Sequence, residues 1–172
     1  MKFSKINRST HNWLSIFVVL PVLLIMVTGI LLVLKKDFEW IQPPTHKGQS
    51  KDIPNMSMTD VFNVVTTTPE ARGLKWDQFE RIEFKPSKGI MKFVTPDAWE
   101  IQVDPSTGEV LSVMKRRSDI IESLHDGNFF GSSMKYFLSL PTAIILIILS
   151  LTGVYMFFHP ILKKRARKKQ KS

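Results

Sequence analysis

Two long stretches of this chain carry no charged side chain, Trp13 to Leu34 and Tyr136 to Phe158, while the segment between them varies with shorter periods. An α-helix rises about 1.5 Å per residue, so each stretch is long enough to cross a hydrocarbon core of roughly 30 Å. The pattern predicts a membrane α-helical hairpin with transmembrane helices over 13–35 and 136–158. The intervening segment, on the order of a hundred residues, suffices for one small extramembrane domain and not for two.

After the first span, Trp40-Ile41-Gln42-Pro43-Pro44-Thr45 and the polar stretch through Asn55 show no period, and the paired prolines predict an extended linker over 36–56 that runs off the membrane surface. From Ser57 the apolar positions Met58, Val61, Phe62, Val64 and Val65 fit a short helix, capped by Ser57 or Thr59 and closed by Pro69 and Gly73. Then the period changes to two. Phe79, Ile82 and Phe84, then Ile90, Met91 and Phe93, then Trp99, Ile101 and Val103, then Val110, Leu111 and Val113 form four short runs separated by Pro, Gly and Asp clusters. That alternation predicts an antiparallel meander, and one helix laid on it gives a compact α+β domain over 57–118. A connector over 119–135 leads into the second span.

Charge adds direction. All fifteen acidic residues lie between Asp37 and Asp126, whereas the flanks carry Lys2, Lys5, Arg8 and, in the last ten positions, seven Lys and Arg. The positive-inside rule puts the N-terminus (1–12) and the basic tail (159–172) in the cytoplasm and the central domain on the trans side. Lys35, Lys36 and Lys135 oppose this weakly and have stems long enough to snorkel. The first span is expected to stay as an uncleaved anchor, because no small-x-small site follows Leu34. A sequence pI near 9.9 therefore reflects topology and anionic lipid rather than nucleic acid. With no cysteine, thiolate ligation, iron–sulfur clusters and disulfides are excluded. No phosphate-binding glycine loop, dinucleotide fingerprint or zinc-protease motif is present. The acidic residues alternate with Lys75, Arg81, Lys85, Lys88 and Lys92, as expected of a solvated surface.

Several of these runs carry a resemblance. Glu100-Ile101-Gln102-Val103-Asp104-Pro105-Ser106-Thr107-Gly108-Glu109-Val110-Leu111 resembles the strand, D-x-x-T-G-E turn and strand of PepSY domains, with Asp104, Thr107 and Gly108 read as structural turn residues. His11-Asn12-Trp13-Leu14 with Thr28-Gly29, Leu124-His125-Asp126-Gly127 with Phe130-Gly131, and Thr152-Gly153-Val154-Tyr155 resemble segments of PepSY-associated transmembrane proteins. Ser15 stands where that family often has glycine, and Phe157-Phe158-His159-Pro160 departs from its tryptophan-rich ending. The resemblance implies a minimal two-helix member with a PepSY-like α+β domain. Better-known members have about four helices and include bacterial inner-membrane reductases, associated with iron–siderophore uptake, that bind haem b through histidines.

The chain has four histidines, His11, His46, His125 and His159, and three of them sit at span boundaries. Neutral imidazole is a common haem ligand, and a six-coordinate electron-transfer haem takes two. His11, His125 and His159 are the candidate ligands. His11 and His159 share the cytoplasmic end of an antiparallel hairpin and form the natural pair within one chain. His125, at the other face, has His46 or the His125 of a second subunit as candidate partners, with Asp126 as a candidate outer-sphere acceptor. Interfacial wetting of amphipathic rings is the alternative for His11, His125 and His159, and a solvated loop position the alternative for His46. Met26, Met134 and Met156 are alternative soft axial ligands that read rather as apolar filling, and Pro21 and Pro141 read as kink sites. The expected partners are the bilayer and either a homodimer or a larger membrane redox complex, with no nucleic acid. The expected function is haem-mediated electron transfer, in iron–siderophore reduction or as a small subunit of a redox complex. The alternative is a non-catalytic membrane-tethered module that binds a partner or regulates a protease.

Overall fold

The computed structural model describes residues 2–52, 54–131 and 133–169. The chain forms two compact units: one built from the two long helices and the segment leading into the second, the other spanning 31–121.

In the first unit, α1 runs Lys2–Val33 and α4 runs Leu140–Lys169. Both outlast their apolar runs, because no proline or glycine interrupts the polar flank before Trp13, and Lys163 onward favours helix. Of the basic cluster at the end, Lys171 lies outside the described residues. A π-helical turn, Lys135–Ser139, precedes α4, and Leu140 N–H donates to Lys135 O within it. The wide turn falls where Pro141 removes the N–H that a regular helix would direct at the carbonyl of Phe137.

The two helices run antiparallel and bury one stripe each. On α1 the less exposed positions include Asn7, His11, Leu14, Val18, Pro21, Ile25 and Thr28; on α4 they include Thr142, Ile145, Leu149, Thr152, Met156 and His159. Steps of three and four residues make this a heptad seam. The remaining faces are apolar and open: Trp13 is 75% exposed and Leu20 76%. Both helices are long and apolar enough to cross a bilayer, which is where such surfaces are at rest.

The second unit holds α2 (Met58–Thr67) and four strands, β1 (Arg81–Lys85), β2 (Ile90–Val94), β3 (Trp99–Val103) and β4 (Val110–Lys115), followed by the start of α3 (Ser118–Asp126). The sheet is an antiparallel meander in sequence order, as the alternation predicts. Its register sets Phe93 opposite Ile101 and Ile101 opposite Val113. Val61 and Val65 of α2 press onto Met91, Phe93, Ile101 and Val103, and Phe79 stacks edge-on against Phe93 with ring centres 5.6 Å apart. Of the two predicted caps, Ser57 is the one used: its hydroxyl accepts from Asp60 N–H at 3.2 Å. Ser57→Ala is expected to cost about 1 kcal/mol, read as a lower thermal midpoint of the full chain in detergent; an unmoved midpoint would deny the cap any role.

The linker segment Pro44 to Gln49 does not run free. It crosses the sheet face opposite α2 as a strap. Strand alternation turns Ile101 and Val103 toward the core, so Glu100 and Gln102 point the other way. There Gln102 meets strap backbone groups that have no ladder partners of their own. Gln102 Nε2 donates to Pro44 O at 2.7 Å, and its Oε1 accepts from His46 N–H at 2.9 Å. Asp104 Oδ2 accepts from Gln49 N–H at 2.7 Å, while its Oδ1 caps the turn through Ser106 N–H at 2.8 Å. Gly48 N–H donates to Lys88 O at 2.8 Å. At that crossing a Cβ on Gly48 would collide with the carbonyl of Gly89, and one on Gly89 with the carbonyl of Ser50. Gly89 also needs its φ of 65°.

This corrects the solvated-surface reading for Lys92. Its side chain is 2% exposed and paired with Glu100, 0% exposed, at 2.7 Å. Lys92 Nζ also donates to Thr45 Oγ1 of the strap. Arg116 takes the other Glu100 oxygen at 2.6 Å and Asp119 at 2.8 Å. Burial works against the Arg116 charge, but hydrogen bonds to Asp119 and Glu100 outweigh it and raise its pKa above the ordinary arginine value.

Candidate functional site

Two histidine–threonine contacts link the arms of the helical hairpin, one toward each end. In the first, His11 lies in the seam of α1 and its Nδ1 is 2.9 Å from Thr152 Oγ1 on α4. The Thr152 hydroxyl already donates to its own helix, at 2.9 Å to Ile148 O and 3.0 Å to Leu149 O. A hydroxyl has one proton, so toward His11 this oxygen accepts. The neutral imidazole therefore carries its proton on Nδ1, and the lone pair is on Nε2.

The second repeats this with the roles of the two helices exchanged. His125, the penultimate residue of α3, has Nδ1 3.1 Å from Ile25 O and 3.1 Å from Thr28 Oγ1 of α1. A carbonyl only accepts, and Thr28 spends its proton on Leu24 O at 2.7 Å. In its neutral form His125 thus also has the proton on Nδ1 and the lone pair on Nε2. Among the described residues no hydrogen bond reaches either Nε2.

A glycine sits beneath each ring. A Cβ on Gly29 would lie 3.3 Å from His125 Cε1, tighter than side chains ordinarily pack, and one on Gly153 would lie 3.8 Å from His11 Cε1. Each span therefore offers a Thr-Gly notch against which the histidine from the other arm of the hairpin packs. Along α1 the two notches are separated by roughly 25 Å, from His11 to Thr28 at about 1.5 Å per residue.

The sequence placed His11 and His125 at opposite ends, and the resemblance picked out Thr28-Gly29 and Thr152-Gly153. It missed what Thr28, Thr152 and the Ile25 carbonyl do. Hydroxyls inside an otherwise apolar span were the available signal, since such groups turn toward a bundle interior. The expected His11–His159 pair is not brought together. His159 stands two turns beyond Thr152 on α4, about 10 Å along the axis, and its Nδ1 is 3.2 Å from Tyr155 Oη. His46 is exposed in the strap, held by its backbone. Asp126 is exposed too, and the orientation of His125 comes from α1 instead. Gly127, at φ 81°, ends α3 directly after these residues.

Residues 8–172 match the family described as PepSY-associated TM region. The chain belongs to that family. The match takes in both histidine notches and both long helices, which makes this member of the PepSY-associated TM region family a membrane protein. No curated protein and no solved structure matches the chain.

Proposed function

We propose that this chain is a b-type haem protein of a bacterial inner membrane that carries electrons across it, with both termini cytoplasmic and a PepSY-like domain in the periplasm. The observation that carries the reading is the pair of imidazoles fixed through Nδ1–H with Nε2 open, one toward each end of the hairpin. A ligating histidine is characteristically held this way, its other nitrogen donating to a carbonyl or hydroxyl that sets the tautomer and the ring plane.

The donor set also favours haem over a bare ion. Among the described residues no three His, Asp or Glu side chains gather to hold a metal. A porphyrin brings four nitrogens of its own and asks the protein for one or two axial ligands. The glycine beside each ring lets the imidazole pack against the facing helix. His11 would hold a haem toward the cytoplasm and His125 one toward the periplasm, and a haem so bound supplies a one-electron carrier. Thr152, Thr28 and the Ile25 carbonyl keep the ring proton on Nδ1, and the surrounding apolar helix surface excludes water. With no flavin or nicotinamide motif, the electrons must come from another molecule. Iron–siderophore reduction and service as the small subunit of a larger redox complex both agree with this role.

The test is an absorption spectrum of the detergent-purified chain, oxidised and then dithionite-reduced, after expression with haem supply. Sharp reduced α and Soret bands are expected; a protein that stays colourless after incubation with haem would refute the reading. Thr28→Val and Thr152→Val keep the shape of each notch but remove its acceptor. Each is expected to weaken haem retention about 10–100-fold at its own site, measured by transfer to apomyoglobin.

A second reading rests on a different place. Met58, Thr59, Phe62 and Trp76 line an open, largely apolar cleft of about 350 Å³ at α2. In that reading the tethered domain binds a partner or regulates a protease there, and the histidines only wet the membrane interface. The same spectrum decides between the two, because such a module has no colour.

A further inference from the structure

We propose that the segment between His125 and the second long helix is a re-entrant elbow, whose Phe129 and Phe130 insert their rings into lipid at the boundary between headgroups and acyl chains. The elbow does not depend on bound haem.

Depth is set first by α1. His125 meets that helix at Ile25 O and Thr28 Oγ1, and α1 continues past Thr28 to Val33. The residues in between, Gly29 to Val33, carry no polar side chain. They rise about 8 Å, so the end of α3 lies about that far inside the end of the first span. The second span agrees. A Cβ on Gly127 would lie 3.0 Å from Ser139 Oγ and 3.5 Å from Lys135 Cα, and Ser139 Oγ donates to Asp126 O at 2.9 Å. The loop after α3 is therefore folded back on the first turn of that span, whose charge-free run begins at Tyr136. Asp126 and Lys135 are exposed and keep the elbow at the headgroup boundary rather than deeper.

Backbone bonding suits that level, where water is scarce and polar groups are best satisfied internally. Gly127 N–H donates to Leu124 O at 3.3 Å and Phe130 N–H to Gly127 O at 3.3 Å. Gly131 N–H donates to Asn128 O and Met134 N–H to Gly131 O, both at 2.9 Å, and Tyr136 N–H to Ser133 O at 3.1 Å. The loop thus closes most of its own bonds through a 3-10 turn, Asn128–Phe130.

The side chains name the occupant. Phe129 and Phe130 are 54% and 53% exposed and stand edge-on to each other with ring centres 5.4 Å apart. Tyr136, Phe137 and Leu140, at the mouth of the second span, are exposed too. The apolar surface of the elbow therefore runs on into surface that the bilayer covers. Lipid accounts for both with one partner, at the level where exposed rings are at home.

The chain has no cysteine, so a single introduced one carries a nitroxide at a chosen place. Asn128→Cys, Phe129→Cys and Phe130→Cys, each in the full chain in vesicles of phosphatidylethanolamine and phosphatidylglycerol, are read by electron paramagnetic resonance with oxygen and a water-soluble nickel chelate as relaxers. Leu20→Cys, exposed on the first span, is the lipid standard, and Lys47→Cys, exposed in the strap, is the water standard. At the elbow the oxygen-to-nickel ratio is expected to shift from the Lys47 value toward the Leu20 value. The Asn128→Cys label decides, because it leaves both phenylalanines in place. A ratio there equal to that of Lys47 would put the elbow in water, and shielding from both relaxers would put a protein neighbour over it. Either result overturns the proposal.

Discussion

Glu100→Ala is expected to destabilise the sheet unit by about 3–5 kcal/mol, because it leaves a buried ammonium without its counter-charge. Lys92 would keep only the Thr45 hydroxyl, and Gln102 would lose one acceptor. Arg116 retains Asp119 and is less affected. The strap amplifies the loss, since it closes over these groups and has little room to admit water. Urea unfolding of the full chain in detergent, followed by tryptophan fluorescence, measures the effect. A cost under about 1 kcal/mol would mean that the network behaves like an exposed ion pair and that the strap does not seal the face. The Lys92→Met/Glu100→Leu pair should be much milder than Glu100→Ala, because it removes both charges rather than stranding one.

The double variant His11→Ala/His125→Ala is expected to lose all bound haem, while each single variant retains about half. Independence follows from the distance between the notches: neither ring touches the other's threonine, carbonyl or glycine. The fold should survive these changes, since each histidine is only partly buried and its neighbours on the seam are unaltered. Haem content by pyridine haemochrome, beside a circular dichroism spectrum that confirms helix content, makes the measurement. Full haem retention in the double variant would assign the axial ligands elsewhere, with His159 the first residue to examine.

The meander was legible because its strands alternate cleanly and its turns carry Pro, Asp and Gly at fitting places; Asp104 and Gly108 act as their turn chemistry suggests. The strap was not legible. A charged residue such as Lys92 on the outward side of a strand ordinarily faces water, and only a segment distant in sequence, Pro44 to Gln49, changes that. The seam of the hairpin was hidden for the opposite reason: a helix apolar on all sides offers no contrast from which to read a buried face. Thr28, Thr142 and Thr152 were the polar marks within it, and all three lie in the seam. Histidine position along the chain was readable, but the threonine each ring meets was not, because it depends on which helix turn faces which across the hairpin.

The most direct test of transmembrane electron transfer uses haem-loaded protein in sealed vesicles with ferricyanide trapped inside and dithionite added outside. The account predicts that trapped ferricyanide is reduced at a rate proportional to the protein present, and that His11→Ala or His125→Ala alone abolishes the reduction, because each removes one of the two stations. Vesicles whose haem is reduced from outside while the trapped ferricyanide remains oxidised would contradict it.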